Sequence, residues 1–529
     1  MAKARRRKEE VAALHRRVTA VGVFVVAFAA VVLTRDDPGL TWDEPFSIGP
    51  GRLYAAWLGK LPQWPFSQTA IDEYWAANHE HPPLAKTLIG LFQAAFVGER
   101  VDVLSSRLAV ALVFALMVEL LFWFGGRAFG GLAGMLAAAS MLCMPRVFGH
   151  AHLATLDVTM AATWLLSVAV FARAVEEPGW RWGALSGLCL GLALLTKINA
   201  VFLPLALVGW GLGFCGRRAL VPLALTLGIG VVVFFAGWPW LWPAPLERAW
   251  AYLRPTWRAA IPVTYFGRLY LSTETPFHYP IVMTLVTLPV GILFLALVGL
   301  SRGVRRFRAS PVLALVVVNV AVAVGPFVTP WLPKYDGVRL WMPAFPFLAL
   351  LAGVGGAQCW AWVAERSRRR PWRPLFLTAV FFLLQAGAVV WARPCYLSYY
   401  NALVGGLWGA RRLGLETTYW HDVVDRGVFR WLVRHARWGD RIAFYPVGEK
   451  VTFTEPGAFD FYEAFYLGGR KELRAVRFEA GARPHYVVLN ARTAMLRRHE
   501  RAWAIFRTRD PVYAVRKQGV LLAGVYELR

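Results

Sequence analysis

Two short stretches near the start of the chain hold residue types that do chemistry. The first is Leu40-Thr41-Trp42-Asp43-Glu44-Pro45, two acids between a tryptophan and a proline-led amphipathic piece. The second is His79-Glu80-His81-Pro82-Pro83-Leu84-Ala85-Lys86. A carboxylate fixed at a helix start is a well-placed general base. A lysine beside a stiff proline turn suits a phosphate as a point charge. Blander roles exist for both. Acids before a proline cap helices, and a lysine at headgroup level snorkels. Glu80, His81 and the distant His278 are of metal-ligand type. A divalent metal is therefore kept open, although alternate residues on a loop give no characteristic ligand geometry. Nothing else in the sequence calls for a cofactor.

Further candidates lie beside later apolar runs. Asp157 follows His150-Ala151-His152, and Lys197 sits in Leu194-Leu195-Thr196-Lys197-Ile198-Asn199, where two short runs meet. Arg339 closes Lys334-Tyr335-Asp336-Gly337-Val338-Arg339, and Arg268 stands in a segment rich in Trp, Pro and Tyr. Ionisable residues at membrane depth are costly and need a partner or a function. An arginine at such a place suits a bidentate phosphate contact. A shared site at one membrane boundary accounts for the set better than residue-by-residue solvation does.

The elements that must position these residues are membrane spans. The chain has 529 residues, of which 57% are hydrophobic, and its mean hydropathy is +0.45. The net charge of +26 sits mostly in short clusters between apolar runs, which is a topology signal rather than a nucleic-acid surface. Five cysteines show neither paired spacing nor a CxxC motif, so no disulfide framework or zinc site is suggested. Residues 1–17 are basic and read as cytoplasmic. The apolar run after them resembles a signal peptide but is read as an uncleaved first span, because more spans follow.

The expected fold is an α-helical polytopic membrane protein of about eleven spans, each near the ~20 residues that cross a bilayer. The transmembrane part covers residues 18–391, with a large first outer loop at 34–100 and a second at 239–279. Spans are expected at 182–195, 199–214, 219–238 and 280–300 among others. Residues 392–529 turn polar, with strand-like runs at 441–445, 485–489 and 519–526, and read as a small extracytoplasmic α/β domain. The expected setting is the inner or plasma membrane, with the N-terminus cytoplasmic.

At these residues the sequence resembles the GT-C glycosyltransferase superfamily, in the branch of protein O-mannosyltransferases and the lipid A aminoarabinose transferase. The likeness rests on Asp43-Glu44, on His81-Pro82-Pro83-Leu84 with Lys86, and on Ser106-Arg107-Leu108. It continues through Asp157, through 191–197, through Arg339 with Pro343 and Pro346, and through 399–420. It implies a polyprenyl-phosphate-linked sugar as donor and inverting transfer on the outer membrane face. By that likeness Asp43 is the base, with Glu44 and Asp157 beside it in the catalytic set. Lys86, Lys197, Arg339 and Arg268 are then the contacts to the donor phosphate. No acceptor motif stands out, so protein, lipid and glycan acceptors all fit. The rivals are a transporter or lipid flippase, which places polar sites near the midplane in repeated halves, and a non-catalytic envelope scaffold.

Overall fold

The computed structural model describes residues 2–97, 102–254, 260–446, 458–468, 473–478 and 483–528. The boundary expected at 100–101 and part of the second loop, 255–259, lie outside these residues. The chain opens with α1 (Ala2–Val32), then the loop helices α2 (Glu44–Gly59), α3 (Gln68–Trp75) and α4 (Leu84–Val97). Next come α5 (Val103–Phe129), α6 (Gly131–Leu142), the short α7 (Pro145–His150), α8 (Asp157–Glu176) and α9 (Trp180–Leu194). After α10 (Leu203–Trp210), α11 (Leu220–Ala236) and α12 (Pro245–Leu253), a hairpin pairs β1 (Pro262–Tyr265) with β2 (Arg268–Leu271). The helical part ends with α13 (Tyr279–Thr287), α14 (Val290–Arg305), α15 (Pro311–Val328), α16 (Ala344–Arg366) and α17 (Arg373–Ala392).

Among the described residues, seven helical stretches are long and apolar enough to cross a bilayer. The chain is a multi-pass membrane protein. Several expected spans are shorter than their apolar runs suggested. The run at 280–300 is split at Leu288-Pro289 into α13 and α14, since proline cannot donate to the helix ladder. The run over Ile198–Ala236 satisfies the span criterion as one piece. It nevertheless reverses. Gly183, Gly187 and Gly191 of α9 abut Leu225, Ile229 and Val233 of α11, so those two helices run the same way. The turn between α10 and α11 falls at Gly216, whose φ of 56° suits glycine.

Close helix approach depends on small residues, because lipid offers no hydrophobic drive between helices. A Cβ on Gly51 of α2 would lie 2.2 Å from the Lys86 carbonyl, and one on Gly90 of α4 would lie 1.8 Å from that of Gly51. This crossing fixes the acid-bearing helix start against the lysine-bearing helix. In the same way α14 and α16 pack in parallel. A Cβ on Gly299 would meet the Leu351 carbonyl at 1.9 Å, and one on Gly355 the Leu295 carbonyl at 2.0 Å.

Beyond α17 lies a small mixed domain. It contains α18 (Gly406–Arg412), α19 (Arg426–His435), β3 (Arg441–Tyr445), α20 (Ala458–Tyr466), β4 (Arg474–Val476) and β5 (Tyr486–Asn490). Then come α21 (Thr493–Leu496), α22 (Glu500–Thr508), β6 (Tyr513–Lys517) and β7 (Val520–Glu527). The sheet order is β4-β3-β5-β7-β6, parallel across β4, β3 and β5 and antiparallel across β5, β7 and β6. The three strand-like runs seen in the sequence are β3, β5 and β7. The domain is docked on the first loop by Gly39 N–H donating to the Asp422 carbonyl (2.7 Å) and Leu40 N–H donating to the Tyr466 hydroxyl (2.8 Å).

Candidate active site

Asp157 opens α8, Lys197 follows α9, Arg339 precedes α16 and Asp43 immediately precedes α2, so all four reach the same end of the bundle. They form one connected ionic chain. Lys197 Nζ donates to Asp157 Oδ1 at 2.6 Å. Asp157 Oδ2 lies 4.0 Å from Arg339 Nε. Arg339 Nη1 donates to Asp43 Oδ2 at 2.8 Å and to Asp336 Oδ2 at 3.2 Å. Lys197, Asp157 and Arg339 are buried, whereas the Asp43 side chain keeps 29% of its surface exposed. Asp43 is the member of the chain that an incoming group can reach.

Asp336 is placed by local backbone chemistry. Asp336 and Gly337 both take positive φ, 54° and 67°, which Asp tolerates better than most residues and Gly tolerates freely. That turn brings the Asp336 carboxylate back to Arg339 three residues on. Trp420 Nε1 donates to Asp336 Oδ2 at 2.8 Å, and the Trp420 ring lies under the Arg339 guanidinium at 4.2 Å. Arg492, from the loop between β5 and α21, places Nη2 2.8 Å from Asp336 Oδ1. A cavity of about 10 Å³ beside these groups is lined in part by Arg146, His150, Asp336 and Trp420. That volume holds one water rather than a sugar.

Glu44 and Asp43 are neighbours with different surroundings. Glu44 is fully buried and gripped at both oxygens by Arg107, with Nε to Oε1 at 2.7 Å and Nη2 to Oε2 at 2.8 Å. It also accepts from the backbone of Thr41 and Ala154 at 2.9 and 3.0 Å. Arg107 in turn donates to the carbonyls of Arg35, Pro38 and Gly39. Among the described residues Glu44 therefore ties the first loop to α5 and to the start of α8, apart from the ionic chain.

Lys86 is likewise engaged. Its Nζ donates to the Asn78 carbonyl (2.6 Å), Asn78 Oδ1 (3.1 Å) and the His81 carbonyl (2.6 Å), with no exposure. All three ammonium protons clip the 78–81 turn, which leaves none for a phosphate in this arrangement. Arg268 lies on the exposed face of the β1–β2 hairpin, outside the ionic chain. Glu80 is exposed, and His278 Nδ1 pairs with the Tyr265 hydroxyl at 2.8 Å. Among the described residues no three His, Cys, Asp or Glu side chains gather to hold a metal ion. Glu80, His81 and His278 are not brought together as such a group. Arg492 gave no signal in the sequence. It follows a strand in the segment that resembled nothing, and only the docking of that domain reveals it.

Electrostatics follow from burial. The Asp43 carboxyl is raised above its ordinary value by desolvation, with Arg339 pulling it back down. Desolvation pushes Lys86 down to about 7. His150 falls to about 4, and His81 falls well below its usual value, in both cases chiefly by burial, with nearby cations adding to the shift. Both imidazoles are neutral at pH 7 and available as hydrogen-bonding groups rather than charges.

A helical bundle with a helical first loop, an ionic site at one end and a mixed C-terminal domain has a counterpart among solved structures. The chain aligns with the crystal structure of ArnT from Cupriavidus metallidurans in the apo state. The TM-score is 0.55 and the identity 15%, over 97% of this chain and 98% of that one. The ArnT structure bound to undecaprenyl phosphate aligns with a TM-score of 0.51 at 16% identity, over 96% and 97%. At these identities the likeness is one of fold. Within that fold, residues 80–242 match the family model of the dolichyl-phosphate-mannose-protein mannosyltransferases. No curated protein sequence matches it.

Proposed function

We propose that this protein transfers a sugar from a polyprenyl-phosphate donor to a protein, lipid or glycan acceptor, inverting the anomeric centre, on the outer face of the membrane. The observation that carries the reading is the chain Lys197–Asp157–Arg339–Asp43, in which cations converge beside a reachable carboxylate. Support comes from the family match over 80–242 and from the ArnT fold, whose crystal structure holds undecaprenyl phosphate.

The polyprenyl tail stays in lipid and the phosphate rests at the boundary, where Lys197 and Arg339 meet it. Their present partners, Asp157 and Asp43, are the anions that a phosphate replaces. Once Arg339 turns to the phosphate, Asp43 loses its ion pair and becomes the stronger base. In the transfer the acceptor O–H gives its proton to Asp43, and the acceptor oxygen bonds to the anomeric carbon. The bond from that carbon to the phosphate oxygen breaks, and its electron pair leaves with the polyprenyl phosphate. The transition state is oxocarbenium-like, as in glycoside hydrolysis. A phosphate is already a good leaving group, so fixed cations supply the main stabilisation. A base in this position contributes roughly 10²- to 10⁴-fold. Glu44 and Lys86 hold the loop that carries Asp43.

The test is incubation of purified protein in proteoliposomes with labelled polyprenyl-phosphate sugars and acceptor extracts. Release of polyprenyl phosphate with label on an acceptor supports the reading. Label that crosses the bilayer still attached to its lipid refutes it and identifies a flippase.

A further inference from the structure

Two grooves open at the end of the bundle opposite the ionic site, and their charges differ. The first, of about 680 Å³, is lined by Arg16, Arg127, Arg173 and Glu176 among apolar and aromatic side chains. Two of its three arginines are neutralised. Arg127 pairs with Glu176 at 2.8 Å and Arg173 with Glu177 at 2.5 Å. The second, of about 640 Å³, lies between α14 and α16 and is lined by Arg302, Arg305 and Arg306 with Ser301 and Gln358. Among the described residues none of these three arginines has a carboxylate partner.

The second groove is graded along its axis. Phe294, Leu297 and Val298 supply its wall, then Ser301, Arg302 and Arg305, all at helical spacing on one face of α14. Phe294 and Leu297 are 55% and 50% exposed, on a helix embedded in a membrane bundle. One stripe thus passes from bare apolar surface to unpaired cations within three turns. Gln358 lies 14 residues along α16 from Ala344, ~21 Å from the site end. With its amide oxygen turned inward, it accepts from Arg302 Nε (3.1 Å) and Nη1 (2.9 Å). That neutral partner orients the guanidinium and leaves its charge intact.

We propose that this groove binds an anionic glycerophospholipid of the leaflet facing that end. Its phosphate meets Arg302 and Arg305, and an acyl chain lies along Phe294 and Leu297. The positive-inside bias accounts for arginines at a span end. It does not account for three of them lining a single groove without an acid, above a continuous apolar lane, while in the other groove Arg127 and Arg173 are paired with acids. Charge complementarity selects an anionic lipid, and the apolar lane selects a lipid over a free anion.

The test is native mass spectrometry of the full-length protein in detergent, titrated with phosphatidylglycerol or phosphatidylcholine of matched chains. Phosphatidylglycerol adducts should dominate. The pair Arg302→Gln with Arg305→Gln should reduce them roughly ten- to thirtyfold. The pair Arg127→Gln with Arg173→Gln serves as the control and should leave them unchanged. Equal adducts of both lipids, or undiminished phosphatidylglycerol binding in the first pair, overturns the proposal. Displacement of the lipid by millimolar inorganic phosphate also overturns it, since the site then recognises the anion alone. Where the first pair fails to fold, Phe294→Asp on the apolar lane is the second variant, with the same loss expected.

Discussion

Asp43 and Arg339, 296 residues apart in sequence, meet through Arg339 Nη1 and Asp43 Oδ2 at 2.8 Å. The contact joins the first loop to the segment before α16. It makes Arg339 both a cation of the site and the main brake on the basicity of Asp43. Burial raises the Asp43 carboxyl, and Arg339 lowers it.

Asp43→Asn keeps the shape of this pair and removes the base. Transfer should fall roughly 10²- to 10⁴-fold, with the unfolding midpoint close to that of the parent. The parent's pH profile should show an acid limb above the ordinary carboxylate value near ~3.9. The sign follows from ionisation: the base works as carboxylate, so activity is lost as pH falls through its raised pKa. Arg339→Gln removes the lowering influence and should move that limb to higher pH. An unmoved limb assigns it to another group.

The first loop was legible because its chemistry is local. Asp43, Glu44, His81 and Lys86 sit in short, unusual strings, and acids or lysines near apolar helices stand out. What the strings did not separate was role. Asp43 and Glu44 are adjacent and equally acidic. Only the arrival of Arg107 from α5, and of the Ala154 amide from the loop before α8, makes Glu44 a tie and leaves Asp43 reachable. Lys86 read as a free cation because its three acceptors include two backbone carbonyls, which a sequence does not display. Asp157, Lys197 and Arg339 were legible as costly polar residues at span ends, and their convergence followed from all facing one end. Arg268 stands on the exposed strand of a hairpin whose other strand is buried, a difference that an aromatic-rich loop does not display in sequence. The span 280–300 was blurred because hydropathy does not see a proline break, whereas the reversal at Gly216 falls between the expected spans 199–214 and 219–238.

Glu44→Gln tests the division of labour in the acidic pair. It leaves the buried Arg107 charge uncompensated, a loss of roughly 3–5 kcal/mol. Thermal unfolding in detergent should show a markedly lower midpoint, while donor affinity of the surviving folded fraction stays near the parent's. A collapse of turnover with an unchanged midpoint places Glu44 in the chemistry instead.

The Lys197–Asp157 pair, at 2.6 Å, separates stability from phosphate binding. Lys197→Met strands Asp157 and should destabilise strongly, by roughly 3–5 kcal/mol. Adding Asp157→Asn removes the stranded charge and should recover most of that stability. Affinity for the polyprenyl-phosphate donor should not return, because the cation that meets the phosphate is still missing. Donor binding that recovers together with the midpoint shows that the pair is only structural.

The C-terminal domain contributes Trp420 and Arg492, and the effect of Arg492 on Asp43 is indirect. Its Nη2 lies 2.8 Å from Asp336 Oδ1, and the same guanidinium donates to the carbonyls of Tyr419 and Pro262. It thereby shares the charge of Asp336 with Arg339, whose Nη1 serves both Asp336 and Asp43. Without Arg492, Asp336 should draw Arg339 toward itself and weaken the hold on Asp43. Arg492→Met is therefore expected to raise the Asp43 pKa and shift the acid limb of kcat/KM, which reports the donor-free enzyme, upward. Lysine should not rescue it, because a point ammonium does not span Asp336 and two carbonyls as the planar guanidinium does. A purely architectural arginine predicts a different pattern: a lower unfolding midpoint with the acid limb where it was. The pH profile of Arg492→Met at a temperature well below its midpoint decides between a domain that tunes the base and one that merely covers it.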